Sequence, residues 1–84
     1  MRGLSGRTAL VTGAAGGIGR GIALRLARER MRVAVVDTEQ DGLNETVQLI
    51  RAEGVDALAV AGDVSSGTEV TEMLSQIASE LGDV

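Results

Sequence analysis

No histidine, lysine, cysteine, tyrosine, tryptophan or phenylalanine occurs among the 84 residues. Each absence removes a kind of chemistry. Without cysteine there is no disulfide and no thiolate nucleophile, and nothing constrains the redox compartment. Without cysteine and histidine the usual zinc ligands are missing, so no metal site is expected. A serine nucleophile would lack its usual histidine or lysine base. General acid–base work at neutral pH is left to aspartate and glutamate. Positive charge is scarce too. All 8 basic residues are arginine and the net charge is −4, which argues against a nucleic-acid surface. No apolar run approaches the ~20 residues of a membrane span. Residues 1–7 lack the apolar core of a secretory signal. A cytoplasmic protein with neither nucleic acid nor membrane as partner is the expectation.

What remains is globular. The chain is 44% hydrophobic and 24% charged, outside the range of disordered segments. Its length allows one domain, residues 1–84, burying roughly 60–65% of the unfolded surface. The arginines from Arg25 to Arg32 belong to the end of a helix, where cations suit the dipole. Glu39, Glu45, Glu53, Glu69, Glu72 and Glu80 fall on outer helix faces and read as solvated.

The most informative stretch is Thr12-Gly13-Ala14-Ala15-Gly16-Gly17-Ile18-Gly19. It follows a near-continuous apolar run, residues 7–12, which suits a strand of a parallel sheet buried on both faces. It opens a helix over residues 18–30, with Ile18, Ile22 and Leu26 as the apolar stripe, flanked by Ala23 and Ala27, and with Arg20, Arg25, Arg28 and Glu29 facing away. Gly21 inside that helix suggests close packing. Residues 33–36 form a second strand ending at Asp37, and residues 38–53 a second helix stopped by Gly54. Residues 57–61 form a third strand ending at Gly62-Asp63-Val64. Ser66 and Glu69 make a capping-box pattern. The helix they open carries Val70, Met73, Leu74, Ile77 and Leu81, and stops at Gly82. The order β-α-β-α-β-α predicts an α/β half of a Rossmann fold, with a three-stranded parallel sheet in the order 3-2-1.

A glycine turn between strand and helix is a recipe for holding phosphate. Glycine lets the backbone approach a ligand, and the helix start offers N–H groups and positive potential. Gly13, Gly17 and Gly19 are the candidate anion-site glycines. A nucleotide-triphosphatase loop fails on residue type, because its lysine is absent. Asp37 lies eighteen residues past Gly19, where an acid accepts hydrogen bonds from both ribose hydroxyls and repels a 2′-phosphate. Ala14, Ala15, Gly16 and Thr38 offer that phosphate no cation, so NAD is expected over NADP. Asp37 also has the option of capping the next helix. Asp63 ends the third strand at the same sheet edge. It could accept from an adenine amino group, with the Val64 backbone reading the ring, or simply hydrogen-bond its own turn. The two readings of Asp63 stay open on the residues alone.

With these residues in view, the chain resembles the short-chain dehydrogenases/reductases. The stretch from Thr12 to Gly19 is similar to their TGxxxGxG signature, and Asp37, Asp63 and Val64 fall on further family positions. The resemblance covers essentially the whole chain. It implies that Gly13, Gly17, Ile18 and Gly19 bind the NAD pyrophosphate region, Asp37 the adenine ribose, and Asp63 with Val64 the adenine. The family's Asn-Asn-Ala-Gly segment, its serine and its Tyr-x-x-x-Lys pair have no counterpart here. No catalytic residue is therefore assigned, and the chain looks like the first half of such an enzyme.

The expected function is NAD binding without catalysis by the chain alone. Two alternatives are a structural or assembly fragment that binds nothing, and a half-domain for S-adenosylmethionine. In the order 3-2-1 the first strand, residues 7–12, is an apolar edge, and such edges recruit other chains. A two-fold homodimer through that strand, in the order 3-2-1-1′-2′-3′, is expected.

Overall fold

A computed structural model describes residues 6–65 and 67–82, without the side chain of Thr68. The elements are β1 (Thr8–Thr12), α1 (Gly17–Arg28), β2 (Arg32–Asp37), α2 (Gln40–Ala52), β3 (Ala57–Ala61) and α3 (Gly67–Leu81). The three strands form one parallel sheet in the order β1-β2-β3. Thr8 pairs with Arg32 and Thr12 with Val36, while Val33 pairs with Ala57 and Asp37 with Ala61. This is the expected Rossmann-type half fold.

Side chains of a strand alternate between its faces, and β2 shows what that does at the centre of a sheet. Val33 and Val35 pack with Ala23 and Ala27 of α1 and with Leu43, Val47 and Ile50 of α2. Ala34 and Val36 pack on the other face with Met73, Ile77 and Leu81 of α3. Both faces are covered, so all four residues are buried. β1 is less covered. Thr8 and Val11 are buried, Ala9 and Leu10 are half-buried, and Thr12 is exposed. Helix α3 returns across the sheet toward β1, where the Thr8 hydroxyl donates to the Leu81 carbonyl at 3.1 Å.

The apolar stripe of α1 differs from the expected one. Ala23 and Ala27 are its buried residues, whereas Ile18 is 84% and Ile22 49% exposed. The cause is proximity to the glycine turn. A Cβ on Gly19 would overlap the Gly13 carbonyl oxygen and lie 2.7 Å from its carbon. A helix seated this closely keeps the small Ala23 and Ala27 directly beneath it, with Leu24 and Leu26 half-buried against the same core. Gly21 is not the close-packing glycine, because a Cβ there would meet nothing within 4 Å.

Three element ends also shift. Helix α1 stops at Arg28, and Arg30 adopts φ +67°. With no glycine at that bend, Arg30 takes the left-handed conformation that turns the chain into β2. Helix α2 starts two residues later than expected, because Asp37 holds Thr38 and Glu39 in a turn. It ends one residue early, with Gly54 at φ +89°, and Gly82 at φ +98° follows α3. Ser66, half of the capping-box pattern, lies outside the described residues, as do Asp83 and Val84. The arginines near the end of α1 are tied locally. Arg25 pairs with Glu29 at 3.5 Å and Arg28 with Glu53 at 3.7 Å, and Arg30 Nη1 donates to the Glu53 carbonyl at 2.6 Å. No described helix is long and apolar enough to cross a membrane.

Candidate functional site

Parallel strands present their carboxyl ends at one edge, and ligands of open α/β sheets bind there. Here that edge gathers Gly13 after β1, Asp37 at the end of β2, and Gly62-Asp63-Val64 after β3. Backbone bonds hold the three together: Ala14 N–H donates to the Val36 carbonyl at 3.4 Å and Gly62 N–H to the Asp37 carbonyl at 3.0 Å. The result is a shallow cleft of about 170 Å³ lined by Gly13, Val36, Asp37, Thr38, Gly62, Asp63 and Val64. Of the residues singled out in the sequence, Gly13, Asp37, Asp63 and Val64 line this cleft. Gly17, Ile18 and Gly19 lie beside it, at the head of α1.

The glycine turn is shaped for approach from outside. Gly13 has φ +65° and Gly17 φ +57°, conformations that side-chain-bearing residues rarely adopt. A Cβ on Gly13, Gly16 or Gly17 would meet nothing within 4 Å, so the rim of the turn is open backbone. The first N–H groups of α1 have no partner within the helix. No side chain caps its N-terminus. A dinucleotide pyrophosphate fits this arrangement chemically: open space, free donors and the positive end of a helix.

Asp37 is the electrostatic centre of the cleft. Its Oδ2 accepts the Ala15 N–H at 3.2 Å. Its Oδ1 accepts from Thr38 N–H at 2.7 Å and from Glu39 N–H at 3.2 Å. The bond from Ala15, followed by that from Glu39, holds the carboxyl below the usual aspartate range, since donors to a carboxylate favour its charged form. Asp37 thus organises the turn before α2, while Glu39 occupies the cap position itself. Asp63 Oδ1 accepts from Ser65 N–H at 2.8 Å. That bond lowers its pKa and is one of the two roles that the residues alone leave open for it, the other being contact with an adenine. Val64 beside it is half exposed.

The sequence reading missed a second cluster behind the turn. Arg20 does not face away. Its Nε donates to Thr46 Oγ1 at 2.9 Å, and its Nη2 donates to the Ala15 carbonyl at 2.6 Å, the Gly42 carbonyl at 3.1 Å and Glu45 at 3.1 Å. The available signal was Thr46, a polar residue on the otherwise apolar face of α2 with Leu43, Val47 and Ile50. A buried hydroxyl needs partners.

Two larger grooves lie away from the cleft. One of about 370 Å³ is lined by Arg51, Asp56, Leu58 and Glu80 among others, at the opposite edge of the sheet. One of about 460 Å³ is lined by Arg20, Glu45, Gln48 and Leu49. Neither is lined by a residue of the glycine turn or by the carboxyl ends of the strands. Among the described residues no acidic cluster is arranged to hold a metal ion.

Over residues 7–84 the chain matches the family model for short chain dehydrogenase. It belongs to the short-chain dehydrogenase family. The 3-oxoacyl-[acyl-carrier-protein] reductase FabG of Staphylococcus epidermidis is 44% identical over 79 residues, covering 93% of this chain and 32% of the relative. A short-chain dehydrogenase/reductase of Armillaria gallica is 46% identical over 79 residues, covering 92% of this chain and 30% of the relative. Among solved structures, NAD+-bound xylitol dehydrogenase superposes with a TM-score of 0.92 at 33% identity, over 96% of this chain and 31% of that one. A short-chain type dehydrogenase/reductase from Mycobacterium marinum gives 0.88 at 40% identity, over 94% of this chain and 32% of that one. The chain therefore spans about a third of the length of the short-chain dehydrogenases it matches.

Proposed function

We propose that this chain binds the adenosine and pyrophosphate portion of NAD, as the nucleotide-binding half of a short-chain dehydrogenase, and performs no hydride transfer alone. The observation that carries this reading is Asp37, an ionised carboxylate that lines the same cleft as Gly13. In this role Asp37 accepts from the adenine ribose hydroxyls. Gly13, Gly17, Ile18 and Gly19 present backbone to the pyrophosphate, and Asp63 and Val64 border the adenine. When bound, the nicotinamide would supply the hydride chemistry. The chain's own residues bind and orient the opposite end of the molecule. The preference for NAD over NADP follows from charge. The Asp37 carboxylate repels a 2′-phosphate. Arg20, the cation nearest the turn, already donates to Thr46, Ala15, Gly42 and Glu45. The absence of tyrosine and lysine supports binding without catalysis.

Isothermal calorimetry of the chain with NADH tests the binding reading, with Asp37→Asn as its internal control. Asp37→Asn is expected to weaken NADH by about tenfold, the loss of a hydrogen bond to a charged acceptor. NADH affinity unchanged in Asp37→Asn would remove Asp37 from the site. No binding by the unaltered chain would leave a structural fragment. Displacement of NADH by S-adenosylmethionine would favour the methyl-donor alternative.

We also propose that the chain pairs with a second copy along β1. Among the described residues, β1 pairs with β2 alone. Its outer edge carries no charge, proline or bulge of the kind that blocks pairing. Ile18 and Ile22 of α1 are exposed apolar residues that such a contact could cover.

A further inference from the structure

Two successive peptide groups of the glycine turn have their carbonyls held from behind by Thr46 and Arg20, which take no part in the proposed ligand contacts. The first group joins Ala14 to Ala15. Its carbonyl accepts from Thr46 Oγ1 at 2.7 Å, and its N–H donates to Asp37 Oδ2 at 3.2 Å. A trans peptide is planar, with C=O and N–H pointing in opposite directions. Fixing one end therefore aims the other. The second group joins Ala15 to Gly16. Its carbonyl accepts from Arg20 Nη2 at 2.6 Å, so by the same planarity the Gly16 N–H points away from Arg20, toward the open side of the turn.

We propose that Arg20 and Thr46 are positioning residues: they draw the Ala14 and Ala15 carbonyls toward α2, so that the Ala15 N–H meets the Asp37 carboxylate and the Gly16 N–H, rather than a carbonyl oxygen, faces an anion. The inference rests on the nucleotide-binding reading of the cleft and assigns what holds that cleft in its receptive form. A flipped Ala14–Ala15 peptide would turn a carbonyl oxygen onto the Asp37 carboxylate, a flipped Ala15–Gly16 peptide would turn one toward the phosphate, and like partial charges repel in both cases.

The chemistry of the two side chains suits the task. Arginine can only donate. Arg20 Nε donates to Thr46 Oγ1 at 2.9 Å, which occupies a lone pair of the hydroxyl. The single Thr46 proton is then directed to a carbonyl, with Ala14 at 2.7 Å closer than Gly42 at 3.0 Å. Thr46 is completely buried, so water does not compete for that proton. Helix α2 approaches closely enough for this because of Gly42. A Cβ there would overlap the Ala15 carbonyl oxygen and lie 2.7 Å from the Ala15 Cβ.

Nuclear magnetic resonance on the 84-residue chain tests this without any ligand. In the unaltered chain the Ala15 amide proton shift follows the protonation of Asp37. Thr46→Val keeps the shape and removes the hydroxyl, and it is expected to abolish that coupling. Thr46→Ser keeps the hydroxyl and is expected to retain it. The binding arm uses ADP-ribose and adenosine. Arg20→Met keeps the aliphatic stem and removes the donors to the Ala15 carbonyl; it is expected to weaken ADP-ribose by about tenfold, the equivalent of one hydrogen bond, and adenosine by less than about threefold. Thr46→Ser is expected to bind both ligands as the unaltered chain does. An Ala15 amide that still reports Asp37 in Thr46→Val, or equal losses for the two ligands, would overturn the assignment. Failure of the unaltered chain to bind either ligand would instead reject the nucleotide-binding reading, and the amide measurement would still decide the positioning role.

Discussion

The Asp37 carboxylate accepts the Ala15 N–H at 3.2 Å. One oxygen at the end of β2 thereby anchors the glycine turn that follows β1. The bond links the charge proposed to select the ligand to the backbone proposed to cradle it, so both respond to the protonation of a single group.

That group sets a pH dependence. The native Asp37 pKa lies below its ordinary value of 3.8, and Asp63 is shifted the same way. At pH values between the native and unfolded pKa, the unfolded chain holds more protons, so stability rises with pH there. The contribution is complete above the unfolded pKa and fades as pH falls through the native one. Acid titration followed by circular dichroism should show unfolding begin below about pH 4. Asp37→Asn should flatten that acid limb.

The glycines of α1 should behave oppositely on substitution. Gly19→Ala places a methyl group against the Gly13 carbonyl, and backbone cannot yield cheaply. It should destabilise the chain by about 1–3 kcal/mol. Gly21→Ala finds open space in a helix interior and should stabilise by about 0.5–1 kcal/mol. Urea denaturation of the two variants measures both.

Much of this was legible from residue pattern. The strand ends, the carboxyl-edge positions of Gly13, Asp37 and Asp63, and the stops at Gly54 and Gly82 depend on local chemistry. A glycine with positive φ or an acid at a strand end acts over a few residues, so linear sequence records it. What escaped depends on how closely elements approach. Periodicity in α1 points to Ile18, Ile22 and Leu26, but with Gly19 seated on Gly13 the two isoleucines stay exposed, while Ala23 and Ala27 are buried and Leu26 is half-buried beside them. Arg20 was assigned to solvent for the same reason. Its partners Gly42 and Thr46 lie more than twenty residues away, and only the packing of α1 against α2 brings them together.

The isoleucines of α1 and α3 therefore differ in what they contribute to folding. Ile77 is fully buried against the sheet, and Ile77→Ala should cost about 2–5 kcal/mol. In dilute solution, where pairing contributes nothing, Ile22→Ala should change stability by no more than about 0.5 kcal/mol, as at other surface positions. Thermal unfolding of the pair discriminates this core from the stripe expected on periodicity alone.

If two copies pair along β1, exposed Ile22 lies at the contact. Light scattering should then show a dimer at high micromolar concentration, and Ile22→Lys should shift it toward monomer with circular dichroism unchanged. A monomeric unaltered chain with intact circular dichroism would refute the pairing.

The central claim concerns Asp37 and the ligand it selects. Calorimetric titration of the chain with NADH and with NADPH under identical conditions tests it most directly. The account predicts weak NADH binding and NADPH binding at least about tenfold weaker, the difference that one unfavourable charge contact of 1.4 kcal/mol produces. NADPH binding equal to or tighter than NADH would contradict it.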